Sequence, residues 1–377
     1  MTKRLLRTVT HVGYVNVAKP ILFRFSPDKV HHSILRAGRI VQNAPLLKSA
    51  PRLWSYRSKK LQQTLAGVVF DNSIGLAAGF DKNIEVLPLL ESVGFGFMTG
   101  GSVTARACEG NPRPWFYRLP AEKSLVVHAG LPNEGVEQIA ARIESYSPRL
   151  LKQFPLIVSI AKTNDAASVE ESEAIEDYCT SLRRLEKVHG IAMYEINISC
   201  PNTFGGEPFT TPERLERLLD RIDALSASRP IVIKMPISLE WLATRSLLQV
   251  IAQHNVQGVT IGNLQKDRSS LSAESDLSDT VPGGLSGLPT QQRSTEYIAR
   301  TYKEFGDKLF IIGVGGVFTA EDAYEKIRAG ASLVGLITGM IFEGPQVVGT
   351  INNSLVELLH RDGYRHVRNA IGADVAR

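Results

Sequence analysis

The stretch Ile231-Val-Ile-Lys-Met-Pro236, then the segment Leu239–His254, then Gly258-Val-Thr-Ile-Gly-Asn263, decides the fold. The two short runs are continuously apolar or β-branched rather than alternating, the pattern of strands buried on both faces. Between them, Leu239–His254 carries apolar residues at three- and four-residue spacing, as an amphipathic helix does. Strand, helix, strand in this order reads as a parallel crossover unit. The rhythm extends in both directions. Further apolar runs lie at Ile74–Gly79, Phe95–Thr104, Pro155–Ala161, Met193–Ser199, Leu309–Gly316 and Leu333–Thr338, with helical patterns such as Thr211–Ala227 between them. Eight such units predict an α/β fold, a closed (β/α)8 TIM barrel over residues 61–377, rather than a doubly wound sheet.

Residues 1–60 are different. They hold 13 of the 43 Lys and Arg residues but only one of the 38 acids, Asp28, so a basic head precedes a mildly acidic body. Pro20–Arg36 and Gly38–Leu47 read as two short helices in which Ile21, Leu22, Phe23, Val30, Ile34 and Ile40 alternate with basic residues. A basic amphipathic extension suits contact with an anionic partner such as a membrane surface. A solvated terminus or a targeting segment is the plainer alternative, since residues 1–27 lack acids. A body of net negative charge argues against nucleic acid as the partner. No run of about 18 uncharged apolar residues is present to span a bilayer. Cys108, Cys179 and Cys200 are too few and too scattered for a disulfide framework, and the eight histidines show no metal-ligand spacing, so no metal is expected. The Ser- and Asp-rich stretch Ser269–Thr280 is expected to be a mobile loop and a candidate lid.

Barrel chemistry sits at the C-terminal ends of the strands. There, Gly313-Val-Gly-Gly316 and Thr338-Gly339 allow backbone N–H groups to approach a phosphate after strands 7 and 8. Lys82 and Lys234 close buried strands, where a lysine needs an anion; a flavin ring, an anionic substrate, or salt bridges to Asp81 and Glu195 would satisfy them. Asn197, Asn202 and Asn263 are amides at the barrel mouth, suited to the edges of a flat polar heterocycle. Cys200 lies among them, near lysines that favour a thiolate, and reads as a general base or nucleophile.

Gly75-Leu-Ala-Ala-Gly-Phe-Asp-Lys82, Gly110-Asn-Pro-Arg-Pro114, Ile196-Asn-Ile-Ser-Cys-Pro-Asn202, Gly283-Gly-Leu-Ser-Gly287, Ile312-Gly-Val-Gly-Gly316 and Ala329-Gly-Ala-Ser-Leu-Val334 together resemble dihydroorotate dehydrogenase. The head, with Phe25-Ser-Pro-Asp28 and His31, resembles the extension of the membrane-associated, quinone-reducing class. The resemblance implies oxidation of dihydroorotate to orotate, with FMN held by Ala78, Gly79, Lys82, Ser102, Asn197, Lys234, Gly287, Gly316 and Thr338. It further implies a substrate ring held by Lys82, Asn197, Asn202 and Asn263, with Cys200 as the catalytic base. Quinone would accept the electrons, and residues 1–45 would make a peripheral contact on the cytoplasmic side of the cell membrane, or on the mitochondrial inner membrane of a eukaryote. The oligomeric state is not implied.

The sequence departs from the family at several points. Cysteine at the base position is typical of the soluble class, and the quinone class usually has serine there. A substrate-contacting Asn-Arg-x-Gly-Phe segment appears as Val127-His-Ala-Gly-Leu131, for which His128 or Asn133 would have to compensate. Ser159 replaces an asparagine, Gly262 and Leu264 replace threonines beside Asn263, and Ile337 replaces an aromatic. Three alternatives stay open: a soluble acceptor such as fumarate or NAD, a different dihydropyrimidine as substrate, or a phosphate-binding regulatory barrel.

Overall fold

The computed structural model describes residues 3–375 except 45, 46, 48, 201, 204, 270, 272–276 and 279. Eight parallel strands close a barrel in sequential order: β1 (Ile74–Leu76), β2 (Phe97–Val103), β3 (Leu156–Ile160), β4 (Ile191–Asn197), β5 (Ile231–Met235), β6 (Gly258–Ile261), β7 (Phe310–Val314) and β8 (Leu333–Leu336). The expected strands are all present, but several stop short of their expected C-terminal ends. β1 ends at Leu76 because the backbone then swings out, reaching φ +114° at Gly79. Those irregular ends are the functional part of the fold.

Alternate strand residues point inward. Phe97, Ile157, Met193, Val232, Ile312 and Leu333 fill the lower barrel as one apolar cluster. Phe70, from a short hairpin (Gln63–Leu65 with Val68–Phe70), plugs it from below. Above this dry layer the interior turns polar, with Ser159, Glu195, Thr260, Asn197 and Lys234 all buried. Outside, helices cover the strands through amphipathic faces; in Trp241–Ile251 the buried set is Thr244, Leu247, Leu248 and Ile251. An unpredicted antiparallel sheet (Phe116–Leu119, Ser124–Val127 and Gly284–Leu285) stands over the barrel mouth. Its strands have four residues or fewer, too short for a pattern to register.

The head is helical, with boundaries that differ from the expected ones. Residues Lys3–Gly13 form α1, a wide π-helical turn follows at Tyr14–Ala18, and Lys19–Phe23 form α2. After a break, Pro27–Asn43 forms α3, starting at Pro27 in its first turn after the extended Ser26. Gly38 does not divide it. A Cβ there would lie 3.0 Å from both Val86 and Leu89, so the glycine lets α3 pack closely on those residues. The segment 1–19, a possible targeting stretch in sequence, is docked where described. Buried Arg7 donates to Asn353 (3.0 Å), Trp54 donates to Thr10 (3.1 Å), and Tyr14 donates to the Ile341 carbonyl (2.7 Å). Of the expected lid, residues 270, 272–276 and 279 lie outside the described residues, as do 45 and 46 of the expected second head helix.

Candidate active site

A single cavity joins the barrel mouth to the underside of α3. Ala78, Gly79, Lys82, Ser102, Asn197, Cys200, Asn202, Lys234, Asn263, Gly287, Gly316 and Thr338 all line it. These residues come from seven of the eight strand ends and from the loop 283–287, so only the closed barrel brings them together.

At one end the wall is glycine-rich. Gly287 (φ +77°) and Gly316 (φ +65°) both occupy left-handed backbone, and a Cβ on either would come within 2.3 Å of Lys123 O or Gln291 Cβ. The Thr338 hydroxyl faces Ser286 Oγ at 3.0 Å, and the helix that begins at Thr338 leaves its first N–H groups without intrahelical acceptors. Hydroxyls and free N–H groups converging on a close backbone approach suit a phosphate.

The centre is a polar chain of fixed direction. Asn197 Nδ2 donates to Ser102 Oγ (2.8 Å), which shares a hydrogen bond with Ser159 Oγ (2.9 Å). The Asn197 Oδ1 accepts from the Ser199 N–H and hydroxyl, both at 3.2 Å. Asn263 Nδ2 in turn donates to Ser199 Oγ (2.7 Å) and to the Ser199 carbonyl. Ser159, where the family pattern has an asparagine, thus serves as a link in this chain.

The two lysines differ from the salt-bridge alternative. Asp81 spends its carboxylate on the backbone N–H groups of Glu85 and Val86, and Glu195 accepts from the Thr260 hydroxyl (2.7 Å). Lys234 is 7% exposed, and among the described residues it has neither a hydrogen bond nor an ion pair. A buried ammonium facing a cavity without a partner is costly and calls for an electron-rich ligand. Lys82 donates to the Gly79 carbonyl (2.9 Å) and lies 5.4 Å from the Phe116 ring centre. Burial pulls its pKa down to about 8, although Asp81, Asp28 and Cys200 pull the other way. Burial pushes the Cys200 thiol above its ordinary value, opposed by the Asn202 backbone, Lys234 and Lys162.

His128 and Asn133 stand outside the cavity wall. Asn133 holds a turn: its amide donates to Thr104 Oγ1 (2.8 Å) and the Leu131 carbonyl (2.9 Å) and accepts from Gly135 N (2.9 Å). His128 lies behind Asn202 and contacts it and Asn111. Asn111 and Asn164, which the sequence reading passed over, complete that cluster; the Gly110–Pro114 motif was the available signal for Asn111.

At its outer end the cavity is roofed by Pro27, Val30, His31 and Ile34 of α3 and walled by Phe116 and Arg118 of the small sheet. Arg118 donates to the carbonyls of Phe25 (2.7 Å) and Phe23 (3.3 Å), tying α2 and the turn before α3 to the sheet. His31 stacks edge-on against Phe80 and Phe116; burial, then nearby Lys82, lowers its pKa to about 3, so it stays neutral.

The family model described as "Dihydroorotate dehydrogenase" matches residues 60–359 of this chain. The chain belongs to the dihydroorotate dehydrogenase family. Its relatives include the dihydroorotate dehydrogenase (quinone) of Gloeobacter violaceus, 36% identical over 94% of this chain and 98% of that protein. The enzyme of the same name from Haloarcula marismortui is 34% identical over 96% of this chain and 99% of its own length. These alignments include the head, and they place the chain in the quinone-dependent class of dihydroorotate dehydrogenases. Among solved structures, DHODH of Eimeria tenella in complex with ferulenol superposes with a TM-score of 0.83 at 26% identity, covering 94% of this chain and 98% of that one. The chain is therefore a flavin-dependent oxidoreductase of this family.

Proposed function

We propose that this dihydroorotate dehydrogenase binds FMN along the chain from Thr338 and Gly316 to Lys234, and oxidises dihydroorotate beside Cys200. It then passes the electrons to quinone beneath α3. The observation that carries the reading is Lys234, a buried lysine that makes no hydrogen bond or ion pair among the described residues, set between Asn197 and Asn263 in a cavity with a phosphate-suited end.

The donor set fits FMN. Gly287, Gly316 and Thr338 would hold the phosphate, Ser102 and Asn197 the ring edge, and Lys234 the electron-rich side of the ring system. Bound FMN would supply the hydride acceptor for C6 of dihydroorotate and the electron donor for quinone. The remaining chemistry belongs to the chain. Cys200 Sγ, as thiolate, takes the proton from C5 of the substrate, and the Lys82 ammonium pairs with the substrate carboxylate. Asn197, Asn202 and Asn263 fix the ring so that the C5–H points at sulfur. A thiol loses its proton more readily than the serine hydroxyl usual in the quinone class, which offsets the upward push of burial on Cys200.

Quinone would enter under α3, where Val30 and Ile34 offer apolar contact and Arg118 a cation. Leu5, Val9, Val12, Val17, Ile21 and Phe25 are exposed along α1, the π turn, α2 and the turn after it, while Lys3, Arg4, Arg24 and Lys29 are exposed nearby. The π turn takes up an additional residue between Val12 and Val17, which helps keep the apolar stripe on one side. Among the described residues no helix is long and apolar enough to cross a membrane. A face of this kind supports peripheral attachment to anionic lipid.

Anaerobic titration of the purified protein with dihydroorotate tests the reading. The flavin absorbance should bleach and return faster with quinone than with fumarate, NAD or oxygen. A flavin that stays oxidised would remove dihydroorotate as substrate; recovery with fumarate or NAD alone would remove quinone.

A further inference from the structure

Behind the cavity wall, two backbone carbonyls fix the direction of a hydrogen-bond relay. The Asn202 carbonyl can only accept, and Asn111 approaches it at 3.0 Å, so that atom of Asn111 is the Nδ2 amide group. The Asn111 Oδ1 then faces Asn164, whose Nδ2 donates to it (3.3 Å) and to the Gly130 carbonyl (3.0 Å). The Asn111 amide group also lies 3.2 Å from His128 Nε2, with Nδ1 of the same ring at 3.5 Å. The amide nitrogen, almost equidistant from the two ring nitrogens, packs over the Nε2–Cε1–Nδ1 edge of the ring and holds it in place. The Val127 carbonyl likewise orients Asn202, whose Nδ2 donates to it at 2.9 Å. Asn202 Oδ1 is then the atom 3.4 Å from His128 Nδ1, where it accepts from the ring when Nδ1 carries the proton.

From this geometry we infer that His128 is a positioning residue for substrate recognition. Held in place by Asn111, it reinforces at Oδ1 the Asn202 orientation that the Val127 carbonyl sets at Nδ2. Asn202 keeps one N–H and one oxygen lone pair beyond those used by Val127 and His128. Those two groups are what a lactam edge of a dihydropyrimidine ring can meet with its own carbonyl and N–H. The relay thus supplies, from behind the wall, the direction that an amide in the altered Val127–Leu131 segment would otherwise supply. This inference rests on the function proposed above.

The test compares His128→Leu, His128→Gln and Asn111→Asp in the FMN-loaded enzyme, with flavin content and melting temperature measured as controls. Two readouts are used: the orotate dissociation constant from perturbation of the flavin spectrum, and the KM and limiting rate of anaerobic flavin reduction. Glutamine presents an acceptor and a donor side by side, as neutral histidine does; leucine presents neither. Loss of one oriented hydrogen bond should weaken orotate binding and raise KM by about tenfold in His128→Leu and Asn111→Asp. The limiting rate should change far less, and His128→Gln should recover most of the affinity. Wild-type orotate affinity in His128→Leu, no recovery with glutamine, or a fall confined to the limiting rate would each overturn the inference while leaving the dihydroorotate reading intact. Failure of dihydroorotate to bleach the wild-type flavin would overturn both.

Discussion

The floor and the roof of the cavity enclose the same space by opposite means. On the floor, Ser159, Ser102, Asn197, Ser199 and Asn263 form one hydrogen-bonded chain, with each amide direction fixed by its neighbours. The roof offers Pro27, Val30 and Ile34, with the neutral His31 and the guanidinium of Arg118 as its polar groups. A directional floor suits bond-making that tolerates little displacement. An apolar roof on a separately docked helix suits an acceptor recognised by fit and hydrophobicity more than by hydrogen bonds. The contrast implies that the two half-reactions can be damaged separately.

The largest effect should come from the floor. Cys200→Ala should keep its FMN and slow flavin reduction by dihydroorotate at least about a hundredfold, as loss of a general base does; stopped-flow bleaching measures it. Next comes pH. With Lys82 lowered to about 8 and Cys200 raised above its usual range, the active form pairs a thiolate with an ammonium and is the minor one. Below pH 8 Lys82 is charged, and the thiolate fraction gains about tenfold per unit, so kcat/KM for dihydroorotate should climb with that slope. Above pH 8 the loss of the Lys82 charge cancels the gain. A plateau should follow, then a fall beyond the Cys200 pKa. Cys200→Ser should retain some activity at a lower level, with a plateau that still begins near pH 8 but runs on without the fall, since a hydroxyl ionises at higher pH than a thiol.

A smaller effect is expected at the roof. Val30→Trp should narrow the passage and lower quinone turnover several-fold, with dihydroorotate bleaching at the wild-type rate; equal losses in both half-reactions would erase the distinction. The smallest effect concerns stability. Lys326 is as buried as any residue of the barrel, yet its ammonium donates to Gln291 O (3.3 Å), Ser294 Oγ (3.1 Å) and Thr295 Oγ1 (3.0 Å). Burial lowers its pKa to about 7, so between pH 7 and the unfolded value near 10.5 the unfolded chain binds the additional proton. The wild type should therefore gain stability as pH rises through that window, and Lys326→Met should lose this dependence in thermal denaturation.

Lys326 also marks what the sequence could convey. Lys82 and Lys234 drew notice because they end strands; Lys326 lies within an amphipathic helix and gave no sign of burial. The barrel was legible because each strand is a continuous apolar run, a signal local to a few residues. The floor was legible because its asparagines and glycines fall at strand ends, whose position the fold dictates. The relay was not, because Asn111, His128, Asn164 and Asn202 come from four separate loops, and their directions depend on carbonyls that no pattern encodes. The small sheet was invisible for its shortness. The helix boundary at Pro27 was missed because Pro20 offered the same start signal, and Gly38 looked like a stop until its contact with Val86 and Leu89 explained it.

Under the proposed function, one cavity oxidises dihydroorotate on its floor and delivers electrons to quinone under its roof. Sequential mixing tests it most directly: the enzyme is reduced anaerobically with one equivalent of dihydroorotate, then mixed with a soluble quinone, and flavin absorbance is followed throughout. Full bleaching is expected in wild type and Val30→Trp alike, with rapid recolouring by quinone in wild type and slow recolouring in the variant. Recolouring at the same rate in both, or bleaching impaired by the roof substitution, would contradict it.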